Sequence, residues 1–175
     1  MRTLLNETFA ALSVRPFRIL WTGTLFAFVG FFMSTVVQSV VAFRLTGENR
    51  AVGLVIFSQG LTMFTLGPLG GAYADRLPKR RVIAICQLTT MVVFFTIAWA
   101  IAGGRIGIVG LMAGSMVMGA SFAFLGPARQ SLSVELVGPE HRGNAIALSQ
   151  VANSVCRVLG PALGGAFLTW STNGA

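Results

Sequence analysis

Long uncharged stretches alternate with short charged clusters along the 175-residue chain. Four stretches carry no charged residue and a fifth carries one arginine: 19–43, 51–74, 82–104, 106–128 and 145–170. A helix needs about 20 residues to cross the hydrocarbon core of a bilayer. Only helices and closed barrels satisfy the backbone in lipid, and these stretches lack the alternation of barrel strands. The pattern predicts an all-α polytopic membrane protein with five transmembrane helices.

The composition supports a membrane protein over a soluble one. Hydrophobic residues make up 54% of the chain and charged residues 10%, against about a quarter charged in ordinary globular proteins. So few charged residues cannot cover a water-facing surface. So many hydrophobic residues are not typical of a disordered chain. The net charge of +8 comes from short clusters without a continuous basic face or a nucleic-acid motif. We therefore expect a lipid bilayer, and no nucleic acid, as a partner.

Lysine and arginine in the short loops predict the orientation, because cytoplasmic loops are enriched in both. Nine lie on the side of the amino terminus and three on the opposite side. The prediction is a cytoplasmic segment over 1–16, a transmembrane domain over 17–170 in the cell membrane, and an extracytoplasmic tail over 171–175. Apolar residues at helical spacing before Pro16 indicate either a short interfacial helix that ends near this proline or a frayed terminus.

The fifth span carries Gln150, Asn153 and Arg157, which share one face of a helix at i, i+3 and i+7. An arginine at the centre of a transmembrane helix costs about 2.5–3.5 kcal/mol, so it should face a water-filled cavity or a partner. We predict that these three residues line a substrate cavity. All five acidic residues lie outside the predicted spans. The counterpart of Arg157 is thus an anionic substrate group, backbone carbonyls, water, or an acid on another segment or chain.

The segment after the second span contains a glycine, a single aspartate and a basic run. A glycine at a helix end lets another helix approach closely, and an aspartate among cations suits a salt-bridge latch. This loop resembles the signature loop of the major facilitator superfamily. The matching positions, which form a predicted cytoplasmic gating motif, are Gly71, Asp75, Arg76, Lys79, Arg80 and Arg81.

Other segments are similar to the enterobactin-exporter and macrolide-efflux branch of that superfamily, namely 43–47 after the first span and 126–145 after the fourth. The fifth span also carries a glycine–proline motif similar to an exporter signature. Its proline weakens one backbone hydrogen bond and its glycines allow tight packing, so the helix can bend. A purely structural kink is the alternative to a direct role in the direction of transport. The motif consists of Gly160, Pro161, Gly164 and Gly165.

The resemblance implies a fold of two six-helix halves around a central cavity that works by alternating access. The chain resembles most of the amino-terminal half, so we expect a truncated fragment that acts with a carboxyl-terminal half or a second chain. The implied function is secondary active efflux of a small amphipathic molecule such as a drug, a macrolide or a siderophore. In this picture Asp75 latches a cytoplasmic gate, and Glu135 pairs with Arg76 or Arg80. The possible latch partners are Arg129, Glu135 and Arg142.

Enzyme chemistry is not expected, because the chain has one histidine, no paired carboxylates within the spans and no nucleotide-binding glycine loop. No cofactor or metal site is predicted. The rival interpretation is a small self-associating membrane protein without transport activity, which the G-x-x-x-G pair Gly110 and Gly114 suits. A reading frame that continues beyond Ala175 with about seven more apolar stretches would favour the transporter.

Overall fold

Five α-helices and two short 3-10 helices make up the fold in a computed structural model, which describes residues 10–74 and 76–173. The 3-10 helices are Ala10–Ser13 and Pro139–His141. Each α-helix is long and apolar enough to cross a membrane, and no strand occurs in the described ranges. This confirms the all-α class with five transmembrane helices. They are α1 Arg15–Thr46, α2 Asn49–Ala74, α3 Lys79–Ala102, α4 Ile108–Val137 and α5 Arg142–Asn173.

The connections between the helices are short, and those after α1, α3 and α4 each contain a glycine with a positive φ angle. Gly47 after α1, Gly104 after α3 and Gly138 after α4 have φ angles of 70°, 61° and 73°. Residues with a side chain rarely adopt this left-handed conformation, whereas glycine does so at little cost. The α1–α2 connection therefore needs only Gly47 and Glu48.

Pro16 begins a helix instead of ending one. It lies in the first turn of α1, which starts at Arg15, where the missing N–H of proline has no helical partner to lose. A separate short helical segment does end just before this residue, at Ser13, as the sequence predicted; that the segment lies at the membrane interface stays a prediction. The residues before Pro16 that the structure describes form only the 3-10 turn Ala10–Ser13, and residues 1–9 lie outside the described ranges.

Helix α4 is longer than its uncharged stretch. It continues beyond residue 128 to Val137 with Pro127 inside it, so Arg129 and Glu135 lie in a helix and not in the predicted loop. Helix α5 likewise reaches Asn173, into the segment predicted as a tail. Absence of charge marks the part of a helix that suits lipid, and a helix can extend beyond that part into the polar interface.

Two compact units divide the chain, one formed by residues up to Met33 and from Arg129 onward, the other by Ser34–Ala128. In the first unit α1 and α5 run in the same direction. The indole N–H of Trp21 donates to the Leu148 carbonyl at 3.0 Å, and the Cys156 thiol contacts the Leu25 carbonyl at 3.6 Å. Phe17 anchors a buried cluster with Ala11, Val137, Ala145 and Leu148.

In the second unit α2 and α4 also run in the same direction and touch at small residues. The Ser58 hydroxyl lies 3.4 Å from the Met112 carbonyl. Further along, Gly119 meets the backbone of Gln59, and Gly70 meets the carbonyl of Ala123. Pro127 has no N–H to give this carbonyl, so the contact at Gly70 lies where α4 frees a backbone oxygen. A buried apolar cluster of Ala42, Val55, Ile97 and Leu111 completes the unit.

Candidate functional site

Helix α5 has a buried face that packs within its own unit and an exposed face that carries the predicted cavity residues. Buried positions recur every three or four residues, which is the spacing of one helical face. Gly160 shows how close the contact with α1 is. A Cβ at this position would lie 2.5 Å from Phe32 Cβ and 3.1 Å from the Met33 nitrogen. The buried residues are Ala145, Leu148, Ala152, Cys156, Gly160 and Gly164.

The polar residues of α5 lie together on a different face. Gln150 and Arg157 are exposed and Asn153 is half-buried. Arg157 directly follows the buried Cys156, which places it about 100° around the helix from the α1 contact. We call Gln150, Asn153 and Arg157 the α5 polar stripe. They lie on one continuous helix, whose period places them on one face; their role in lining a cavity stays a prediction.

Arg157 lies near the middle of α5, 15 residues after Arg142 and 16 before Asn173. Within the described part of the chain, its side chain makes no hydrogen bond or ion pair. The described acids are all close to helix ends: Glu48, Glu135 and Glu140. Pro161 adds a second polar feature at this level, because it has no N–H to give the Arg157 carbonyl. The middle of α5 thus presents both a cation and a freed backbone acceptor.

The exporter-like motif contains glycines in different environments. Gly160 is required by the contact with α1, whereas no described atom lies within 4 Å of a Cβ built at Gly165. Gly164 is buried. Despite Pro161, α5 continues as one helix to Asn173. At Gly160 the motif therefore serves close packing of two helices; its role in bending α5 stays a prediction.

The predicted gating motif occupies the end of α2 and the start of α3. Asp75 lies outside the described residues. Arg76, Arg80 and Arg81 are exposed and Lys79 is half-buried, so the basic run is accessible to water or headgroups. The turn is closed by backbone hydrogen bonds from Arg76 and Leu77 to the Tyr73 carbonyl, both 3.1 Å.

The close approach predicted at Gly71 occurs one residue earlier. No described atom lies within 4 Å of a Cβ at Gly71, whereas a Cβ at Gly70 would collide with the Ala123 carbonyl and lie 2.8 Å from its carbon. Adjacent residues point about 100° apart on a helix. The sequence interpretation identified the helix end correctly and assigned the contact to the wrong glycine.

The three possible latch partners have different environments. Arg129 is buried, including all three guanidinium nitrogens, and its guanidinium carbon lies 5.4 Å from the centre of the Phe28 ring. This distance is typical of a cation–π contact. Glu135 and Arg142 are exposed. Arg129 is therefore an interior residue of its unit, and the pairing of Glu135 with Arg76 or Arg80 stays a prediction.

Sequence reasoning missed a buried polar cluster in the second unit. The Ser115 hydroxyl donates to Gln38 Oε1 at 2.8 Å, and Gln38 Nε2 lies 3.4 Å from the Met118 sulfur. Gln38 is 4% exposed and Ser115 2%. The signal in the sequence is that Gln38 is the one amide in the first uncharged stretch.

Two other features bear on alternative functions. Gly114 of the G-x-x-x-G pair contacts α3 within the chain, since a Cβ there would lie 2.6 Å from Ile97 Cδ1. Among the residues that the structure describes, no group of three or more His, Cys, Asp or Glu could hold a metal ion. Cys86 and Cys156 are buried free thiols.

Fold and site together define a class: a polytopic α-helical membrane protein whose fifth spanning helix carries an exposed polar stripe. The chain belongs to the transmembrane secretion effector family of the major facilitator superfamily, whose family model matches residues 6–175. This confirms the resemblance found in the loop motifs. No solved structure matches the chain.

Curated relatives agree with this assignment. The chain is 29% identical to multidrug resistance protein MdtH of Aeromonas salmonicida over 145 residues, which cover 81% of the chain and 34% of the relative. It is 25% identical to multidrug resistance protein 1 of Bacillus subtilis over 147 residues, 84% of the chain and 36% of the relative. The uncharacterized MFS-type transporter YfiS of Bacillus subtilis is 22% identical over 132 residues, 75% of the chain and 30% of the relative. The chain thus spans about a third of the length of these relatives.

Proposed function

We propose that the chain is part of a secondary active transporter that exports small amphipathic molecules by alternating access. Family membership supports transport, and two relatives named multidrug resistance proteins support export. Because the chain spans about a third of these relatives, it would act with a carboxyl-terminal half or a second chain, as the two-half architecture requires. Drugs, macrolides and siderophores are the proposed substrate classes.

The observation that carries the proposal is the exposure of Arg157 in the middle of a membrane-spanning helix. An arginine that faced lipid there would cost about 2.5–3.5 kcal/mol. An aqueous substrate pathway along the α5 polar stripe removes this cost, since water and substrate then solvate the guanidinium. Gln150 and Asn153 extend the same surface toward the amino-terminal end of α5 and would contact substrate or water.

The proposed cytoplasmic gate uses the motif between α2 and α3. The accessible basic residues Arg76, Arg80 and Arg81 supply positive charge, and Asp75 would latch the gate when it closes. Asp75→Asn removes the charge while keeping the shape. We expect it to change the export rate without reducing membrane insertion; normal export by this variant would refute the gate role.

The rival interpretation, a self-associating membrane protein, draws on the pair Gly110 and Gly114. Gly114 packs against Ile97 of its own chain, so only Gly110 is open to a second copy. A one-glycine contact is a weaker basis for association than the close helix approach that two such residues allow. The structure therefore favours transport over self-association as the role of these helices.

Export by energised cells tests the proposed function directly. The native reading frame is expressed in a host without its own broad-range pumps, and efflux of a panel of amphipathic compounds is measured. We expect export of at least one compound, and a loss of about tenfold or more in Arg157→Ala, since a charge-assisted hydrogen bond is worth about 1.5–3 kcal/mol. Arg157→Lys should retain part of the activity. Arg105→Ala removes an exposed charge from the α3–α4 connection and serves as the control. Unchanged export of every compound by Arg157→Ala would remove Arg157 from the mechanism.

A further inference from the structure

We propose that the α5 polar stripe is an anion-binding site, so that the substrates of this protein are amphiphiles with a carboxylate or a similar single anionic group. The inference deepens the proposed function and rests on it. It identifies the counterpart of Arg157 as an anionic group of the substrate. The sequence had left water, backbone carbonyls and an acidic residue as alternative counterparts.

The charge of Arg157 has no acidic counterpart nearby among the described residues of α4 and α5. Glu140, which precedes α5, is 17 residues before Arg157, or about 25 Å along a helix. Glu135 lies two residues before the end of α4. Neither described acid lies at the level of Arg157 on its own helix. A cation in the middle of a membrane-spanning helix needs a counter-charge or water, and an anionic ligand supplies the counter-charge.

The hydrogen-bond donors of the α5 polar stripe have a geometry that suits an anionic ligand. The guanidinium of Arg157 presents a planar fork that matches a carboxylate through two parallel hydrogen bonds. Asn153, one turn earlier, and Gln150, two turns earlier, add amide N–H donors on the same face. Three side chains that can each donate, with no carboxylate among them, favour an acceptor-rich ligand over a cationic one.

Aliphatic side chains on the same face of α5 suit an apolar part of the ligand. Ile146 lies one turn before Gln150 on the same face and is 38% exposed, and Leu168, three turns after Arg157, is half-buried there. Donors occupy the middle of this surface and aliphatic side chains its ends. A molecule with one anionic group and an apolar body complements such an arrangement, whereas a free inorganic anion has no apolar body to place against it.

Equilibrium binding to the protein in lipid nanodiscs tests the site without requiring transport. The probes are three carboxylate amphiphiles, dodecanoate, cholate and naphthaleneacetate, each compared with its carboxamide, which has almost the same shape and no charge. Binding is corrected for partition into protein-free nanodiscs. We expect the native protein to bind at least one acid about tenfold more tightly than its amide.

Substitution of Arg157 identifies the source of that preference. Arg157→Gln should abolish it, and Arg157→Lys should keep a weaker preference, because lysine retains the charge without the fork. Arg105→Gln removes the same charge elsewhere and should bind like the native protein. If Arg157→Gln does not fold, Arg157→Lys decides: a preference weaker by several fold supports the site, and an unchanged one overturns it.

Other outcomes contradict the proposal in distinguishable ways. A native protein that binds no acid better than its amide overturns the anion site. So does an Arg157→Gln variant that loses acid and amide equally, which would indicate that Arg157 pairs with an acid of the protein. Export in cells without acid preference refutes the anion site and leaves the proposed function intact, whereas acid preference without export supports the site and refutes transport.

Discussion

The pairs α1–α5 and α2–α4 are built alike but treat polar groups differently. In each pair the helices run in the same direction and meet at a glycine, Gly160 in one and Gly70 in the other. In the unit that contains α2 and α4, Gln38 and Ser115 are buried, and the Ser115 hydroxyl donates to Gln38. The other unit leaves Gln150 and Arg157 of α5 exposed.

This difference distinguishes polar side chains that stabilise the fold from polar side chains that could serve a function. In lipid, a polar side chain that finds a partner within its unit stabilises the packing. A polar or charged side chain that stays exposed costs free energy unless water or a ligand meets it. The Gln38–Ser115 pair is therefore assigned to the architecture, whereas a role in transport is our proposal for the α5 polar stripe. This contrast requires that the glycines and the buried pair stabilise the fold.

The largest effect is expected for Gly70→Ala. The added Cβ would collide with the Ala123 carbonyl. The backbone of α2 fixes the position of the Cβ and the carbonyl is part of the α4 backbone, so α2 and α4 must move apart. We expect a loss of about 3 kcal/mol in the unfolding free energy, measured by denaturation in mixed SDS micelles. Gly71→Ala is the matched control, because nothing described lies near it; equal losses in the two variants would contradict the assigned contact.

A smaller loss, about 2 kcal/mol, is expected for Gly160→Ala. Its Cβ would come within 2.5 Å of Phe32 Cβ, a side-chain atom close to the backbone, and a small shift of α1 relieves part of the overlap. Gly165→Ala has open space and should gain from the better helix propensity of alanine, by up to about 1 kcal/mol. The same micelle denaturation measures both. A Gly160→Ala variant as stable as Gly165→Ala would show that the exporter-like motif does not hold α1 and α5 together.

The smallest effect is expected at the buried pair. Ser115→Ala removes the donor to Gln38 Oε1 and should cost between about 0.6 and 1.7 kcal/mol, the range of hydrogen bonds within membranes. A double-mutant cycle with Gln38→Leu isolates the pair and should give a coupling of similar size. Export should stay at the native level in Ser115→Ala. A coupling near zero would show that the pair does not stabilise the fold. Lost export with native stability would show that the pair has a role in transport.

Much of the fold was predictable because hydropathy acts locally. Each uncharged stretch is long enough to cross the bilayer, and each corresponds to one helix. The ends were less predictable, because α4 continues from residue 128 to Val137 through a proline. The first charged residue marks where a helix leaves lipid, which is not where the helix ends. The sequence therefore predicts a loop at Arg129, although this residue is buried in α4.

The candidate site was predictable in part. The periodicity of Gln150, Asn153 and Arg157 placed them on one face of a helix, whereas their role in lining a cavity stays a prediction. The choice between Gly70 and Gly71 could not be made from sequence, since it depends on the rotation of α2 against α4. The Gln38–Ser115 pair joins residues 77 positions apart, and no local pattern connects them.

Sequence alone determined that this chain enters a membrane, how many times it crosses, and which face of the fifth helix is polar. These properties follow from the transfer free energy and the helical period of neighbouring residues, which contacts elsewhere in the chain do not alter. Tertiary structure decided which polar side chains find partners, which glycines allow helices to touch, and that Arg157 stays exposed while Arg129 is buried. Those outcomes depend on how each helix is rotated and what packs against it, and this information is distributed over the whole chain.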